Sequence, residues 1–150
     1  MLQISQDNIK VVTLEFNKHL NLIMPHVKTI ENTLKAMWKI LDCHHVTCTQ
    51  IDIDGRNYDI WSDDEALLTN KPIPTLYIND DLVLFGNLIF ATSDDEGATR
   101  GLTDEDMDRV LKFINHQMPK LSAWLDNLIS KQERRKIYDT SEKSKYNFFH

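Results

Sequence analysis

The dipeptide Asp54-Gly55 constrains this chain more than any other feature. It separates HVTCTQIDI from RNYDIW, and the first run is β-branched at Val46, Thr47, Thr49, Ile51 and Ile53. An Asp-Gly pair between two such runs predicts a two-residue hairpin, because both central residues of that turn need positive φ and this pair adopts it cheaply. Strands joined so tightly pair antiparallel, since a parallel pair needs a long crossover. The expected fold is therefore α+β with a mainly antiparallel sheet, and a doubly wound parallel sheet is disfavoured.

The rest of the chain supplies partners for that hairpin. IKVVTLEF, residues 9–16, alternates with Val12, Leu14 and Phe16 on one face and reads as a half-buried strand. Pro25 makes residues 19–25 a loop into a short strand at 26–30. Asn32 or Thr33 caps an amphipathic helix near residues 32–42, with Leu34, Met37, Trp38 and Leu41 at i, i+3, i+4 and i+7. SDDE is an acidic turn, TNKPIPT a loop, Tyr77-Ile78 a brief strand and Asn79-Asp80 a turn. Leu82 to Ala91, apolar on both faces, reads as one central strand with Gly86 at a bulge or close backbone approach. After the loop SDDEGATRG, Thr103 and Asp106 form a capping box with Asp in place of Glu. They open the first of two C-terminal helices, striped by Met107, Val110, Leu111 and Ile114. Pro119 restarts the second, whose Leu121, Trp124, Leu125, Leu128 and Ile129 form an apolar stripe. Its own domain or a second copy must cover that stripe, so these five are the candidate self-association residues of a homodimer. Residues 1–130 read as one domain, and 131–150 as a basic polar tail, disordered or continuing the last helix.

Charge is unevenly spread. Residues 1–51 carry a net +1, residues 52–108 set fifteen acidic side chains against Arg56, Lys71 and Arg100 for a net −12, and residues 109–150 carry +5. Acids collect at turns and helix N-termini for backbone reasons, and that is the plain reading of this block. The sharper one is a surface for a basic partner, because −12 matches the phosphates along about 20 Å of duplex DNA. Its candidate contacts are the clustered Asp63, Asp64, Glu65, Asp80, Asp81, Asp94, Asp95 and Glu96.

Chemistry is harder to find. Cys43, His44, His45 and Cys48 lie in LDCHHVTC, but the spacing departs from the paired ligands of structural zinc sites. On a strand, Cys48 shares a face with Val46 and serves as a small apolar side chain. Asp52, Asp54, Asp63 and Asp64 near these histidines give a metal-dependent hydrolase its only footing, and all four sit in or beside turns. No nucleophile elbow, zincin, Walker or dinucleotide motif occurs, and no pattern requires a metal or cofactor. The longest apolar stretch falls short of the roughly 20 residues a spanning helix needs. MLQISQDNIKVV lacks the basic and apolar regions of a signal peptide, so no membrane contact and a cytoplasmic location are expected.

IENTLKAMWKI, the hairpin around IDGRNYDIWSDDEALL, Asn70, LVLFGNLIFA with Gly86, the DDEG turn and LTDEDMDRVLKFI together look like the bacterial family of unknown function numbered 3846. The resemblance covers about residues 9–115. It departs where the family usually has a glycine pair after its first helix and this chain has Asp42-Cys43-His44-His45. It implies a setting, since such proteins are commonly encoded by phages, plasmids and conjugative elements, where small acidic proteins often block restriction or CRISPR enzymes. The leading expectation is a non-enzymatic counter-defence inhibitor that presents acids to a basic host protein, such as a nuclease or CRISPR effector. The alternative is direct nucleic-acid binding by the tail, where Lys131, Arg134, Arg135, Lys136, Lys143 and Lys145 are interleaved with Tyr138, Tyr146, Phe148 and Phe149.

Overall fold

The computed structural model describes residues 8–66 and 73–138. The hairpin forms as the sequence requires. Asp54 and Gly55 take φ of 53° and 86°, the Asp52 carboxylate accepts the Gly55 amide at 2.7 Å, and β3 (Val46–Ile53) pairs antiparallel with β4 (Arg56–Asp63). Around it β1 (Asn8–Asn17), β2 (Leu22–Glu31) and β7 (Leu88–Ser93) complete a sheet ordered β2-β1-β7-β4-β3. The two-residue β8 (Thr99–Arg100) pairs with the end of β7, and every pairing is antiparallel. A second, two-stranded sheet joins β5 (Pro74–Asn79) to β6 (Leu82–Phe85). The helices are α1 (Leu34–Leu41) and α2 (Asp104–Tyr138). The fold is thus α+β with a mainly antiparallel sheet.

Strand alternation sorts the core into two layers. Val12, Leu14, Tyr58, Ile60, Leu88 and Phe90 cluster with Val110 and Ile114 of α2 and with Leu76 and Leu84 of the small sheet. Ile9, Val11, Ile89 and Ala91 turn to the other face, against Met37 and Leu41 of α1. Successive side chains of β1 and β7 thereby serve opposite layers, which is why these strands are apolar almost throughout.

α1 has the predicted cap, and its stripe is buried at Met37 and Leu41 and half-buried at Trp38, whereas Leu34, expected to share it, is exposed in the first turn. The Ala36 amide donates to Thr33 Oγ1 at 3.1 Å, and Asp42 takes the left-handed C-cap position at φ 55°. An aspartate thus adopts the conformation usually left to glycine.

Three expectations need correction. The stretch from Leu82 to Ala91 is two strands in two sheets. At Gly86, φ is 79°, its amide donates to the Ile73 carbonyl and its carbonyl accepts the Thr75 hydroxyl at 2.6 Å, so the chain turns out of β6 and re-enters as β7. Asn87 fixes the re-entry by donating to the Ile40 carbonyl and accepting the Phe16 amide. The proline-marked segment is also longer than a short strand at 26–30, because β2 spans Leu22–Glu31 with Pro25 opposite Leu14. As an edge strand it leaves one row of backbone groups unpaired, so a missing N–H is tolerated. The two C-terminal helices are one. Pro119 lies inside α2 at an exposed position, and contacts on both sides of it hold one register: Gln117 Nε2 donates to the Tyr77 carbonyl at 2.8 Å and Leu121 is buried. The helix reaches Tyr138, while Lys143, Lys145, Tyr146, Phe148 and Phe149 lie outside the described residues. Among the described residues no helix is long and apolar enough to cross a membrane.

Candidate functional site

Strand register decides which acids meet. β4 runs antiparallel to β7 with Asp59 opposite Ala91 and Ser62 opposite Leu88. The beginning of β4 therefore lies at the same end of the sheet as the end of β7. Asp52 sits near the end of β3 and Asp54 in the turn that precedes β4, and Asp94, Asp95 and Glu96 occupy the turn that follows β7. The first turn of α2 arrives here too, with Asp104, Glu105 and Asp108, because Leu102 donates its amide to the Lys10 carbonyl and Asp106 reaches back to β4. A cleft of about 250 Å³ lined by Asp54, Glu105, Asp108, Arg109 and Lys112 brings the hairpin turn against the helix. Against these acids stand Arg56, Arg100, Arg109 and Lys112, while Lys10 and Glu31 offset one another nearby.

Several of these charges are spent locally. Asp94 accepts the Glu96 and Ala98 amides, both at 2.9 Å, and pairs with Arg100. The Ala98 amide is the main reason its carboxyl sits below the usual range, followed by the Glu96 amide and Arg100. Asp108 pairs with Lys112 at 3.1 Å. Asp54, Asp95, Glu96, Asp104 and Glu105 are exposed and their carboxylates accept no hydrogen bond among the described residues. They face solvent at the N-terminus of a long helix, a place whose dipole favours them.

Beneath them lies a buried charge network. Asp106 is 1% exposed. It accepts Tyr58 Oη at 2.7 Å, Arg56 Nε at 2.8 Å and the Thr103 amide at 3.0 Å, while its own amide donates to Thr103 Oγ1. Arg109 donates to Tyr58 Oη at 2.7 Å. Burial pushes the Asp106 carboxyl upward, but the Thr103 amide, the Tyr58 hydroxyl and Arg56 outweigh it and hold the group below its ordinary value. The Tyr58 phenol is raised, by burial first and then by donating to Asp106. The predicted capping box is therefore real, and its aspartate also ties α2 to β4.

The other expected contact residues stand apart. Asp63 ends β4 and Asp64 and Glu65 follow it at the opposite end of the sheet, about 20 Å from the β7–β8 turn at 3.3 Å per strand residue. Asp80 and Asp81 form the tip of the β5–β6 hairpin, where Tyr77 Oη donates to Asp80 at 2.6 Å. One surface does not unite the three groups. Asp54, Asp104 and Glu105 join the acidic end instead, and they were absent from the sequence-based contact set. Counting pairs outward from Asp54-Gly55 would have placed Asp54 at one sheet end, but nothing in the sequence tells which end α2 meets.

The Cys/His segment is dispersed. Cys43 Sγ donates to the His45 carbonyl, His44 stacks obliquely on Trp38 at 5.7 Å, and Cys48 sits on edge strand β3 opposite Trp61. Cys48 does share the α1 face with Val46, yet it is exposed, contrary to its expected apolar role, because α1 is too short to cover the β3 edge. Among the described residues no three His, Cys, Asp or Glu side chains gather into a group that could hold a metal ion. Of the stripe residues, Leu121 is buried, Trp124 and Leu125 are half-buried, and Leu128 and Ile129 are 42% and 41% exposed.

The family model described as Domain of unknown function (DUF3846) matches residues 9–115. Comparison with curated proteins and with solved structures finds no match.

Proposed function

Because this chain belongs to the DUF3846 family, whose function is unknown, we propose its role from its own surface: a non-enzymatic binding protein whose acidic end engages a basic partner. The observation that carries the reading is the convergence of the β3–β4 turn, the β7–β8 turn and the first turn of α2, which leaves five carboxylates facing water at one end. Such grouping concentrates negative potential and speeds encounter with cations, whereas acids scattered over the surface do not. The partner we favour is a nucleic-acid-handling protein of the host, with this chain as a counter-defence factor of a phage or plasmid. A surface that binds phosphate must be basic, and clustered carboxylates compete for it.

The test compares the original chain with one quadruple and one double variant in capture from host lysate, followed by identification of what is recovered. Asp95→Asn, Glu96→Gln, Asp104→Asn and Glu105→Gln together neutralise the acidic end, while Asp64→Asn with Glu65→Gln neutralises the opposite one. A basic nucleic-acid-handling protein is expected with the original chain and the second variant, lost with the first, and displaced by duplex DNA. Equal recovery with all three would return these acids to the status of solvated turns.

A further inference from the structure

β2 is an edge strand whose outer row of backbone groups pairs with no other strand among the described residues. Its register on β1 sets Ile9 opposite Ile30 and Val11 opposite Lys28, so Met24, His26, Lys28 and Ile30 share the face on which α1 lies. There α1 packs through Met37 and Leu41 onto β1 and β7, leaving a groove of about 520 Å³ between itself and β2. Ile30, Ala36 and Ile40 line it with apolar surface, and Lys35 and Lys39 stand on it one helical turn apart. The charge of this side departs from that of the rest. Residues 16–30 contain no Asp or Glu, although the chain carries 23 of them. Glu15 is spent on Lys28 at 2.7 Å, and Glu31, at the end of β2, lines the groove without pairing with either lysine. Lys35 and Lys39 are exposed and have no carboxylate partner among the described residues.

We infer that the groove and the free edge together take an extended acidic peptide of another protein, added to β2 as a further strand. Each part of the site asks for one property of that peptide. The unpaired edge asks for a strand's amides and carbonyls, and Pro25 precedes residues 26–31, so the edge beside the groove is uninterrupted. Lys35 and Lys39, about 6 Å apart, match glutamates at alternate strand positions, which lie about 7 Å apart on one face. A glutamate lays its methylenes on Ile30, Ala36 and Ile40 while its carboxylate reaches a lysine. On the opposite face the intervening side chains meet Val27, which is 52% exposed, and these should be apolar. A lipid surface or a nucleic acid would engage the lysines but would use neither the edge nor an apolar groove. None of the five solvent-facing carboxylates takes part, so this site and the partner proposed for them stand or fall separately.

A library of random heptapeptides displayed on phage and selected on the full chain tests it. Enrichment of Glu or Asp at alternate positions with apolar residues between them is expected, and the leading synthetic peptide should bind saturably in fluorescence anisotropy. Lys35→Glu with Lys39→Glu should weaken that binding at least about tenfold while circular dichroism stays that of the original chain. N-methylation of the peptide backbone at odd positions should abolish binding and at even positions spare it, or the reverse, because an added strand turns only alternate amides towards its neighbour. Equal losses from the two would overturn strand addition. A selection that enriches no acidic pattern overturns the inference, as does capture of phosphatidylserine vesicles or duplex DNA by the same lysines in its place. Dimerisation of the full chain that is lost with both lysine substitutions would overturn it too, by assigning the groove to a second copy.

Discussion

Asp106 is the residue on which the acidic end rests. A carboxylate almost removed from solvent needs its donors, and Arg56, Tyr58, Thr103 and Arg109 surround it. Asp106→Ala should cost about 3 kcal/mol in chemical denaturation, since it strands the partners of a buried pair and removes half of a capping box. Because the folded carboxyl lies below its unfolded value, its contribution is complete above about pH 4 and is lost as pH falls through the folded value. A stability difference between Asp106→Ala and the original chain that shrinks on acidification would agree; one that grows would contradict the assignment. Cys48 offers a second residue-scale check. Burial, then the nearby Asp59 charge, raises its thiol to about 11, so alkylation should be slow at pH 8 and climb towards pH 11 despite its exposure. Asp59→Asn should move that profile to lower pH. A rate already saturated at pH 9 would show that Asp59 does not act on it.

Elements follow from local chemistry more closely than their junctions do. The hairpin at Asp54-Gly55, the Thr33 cap of α1 and the Thr103–Asp106 box were legible because each is decided by residues within a few positions. The division of Leu82–Ala91 between two sheets was not, since the carbonyl of Ile73 and the hydroxyl of Thr75, which hold Gly86 in place, are distant in sequence. Pro119 misled for a related reason. A helix interior loses a hydrogen bond at proline, but packing through Gln117 and Leu121 on either side keeps one register. Pro119→Ala should therefore stabilise the chain, by up to about 3 kcal/mol, and raise its helical signal. No gain would mean that the helix ends at the proline. Gly101 tests the β8 junction. A Cβ there would stand 2.9 Å from the Lys10 amide nitrogen and 3.0 Å from Ile9 Cβ, so Gly101→Ala should lower the melting temperature although the residue is only half-buried. An unchanged melting temperature would place β8 farther from β1.

At the scale of the whole molecule, the arrangement separates core, acids and open apolar stripe by location. The sheet and both helices bury the apolar residues in two layers, the β3–β4 and β7–β8 turns with the start of α2 gather acids at one end, and the far half of α2 carries the open stripe. Composition alone announced the acids but not their geometry. Asp63–Glu65 and Asp94–Glu96 are similar in sequence and lie at opposite ends, because a strand's direction, which composition does not contain, sends the turn after β4 and the turn after β7 opposite ways. We propose the acidic end as the place where a partner binds. Hydrogen exchange of this chain, alone and with the captured host protein, tests it most directly. Slowed exchange is expected at residues 54–56, 95–98 and 103–108 with residues 63–66 unchanged; protection confined to residues 63–66, or absent from the acidic end, would contradict partner binding there.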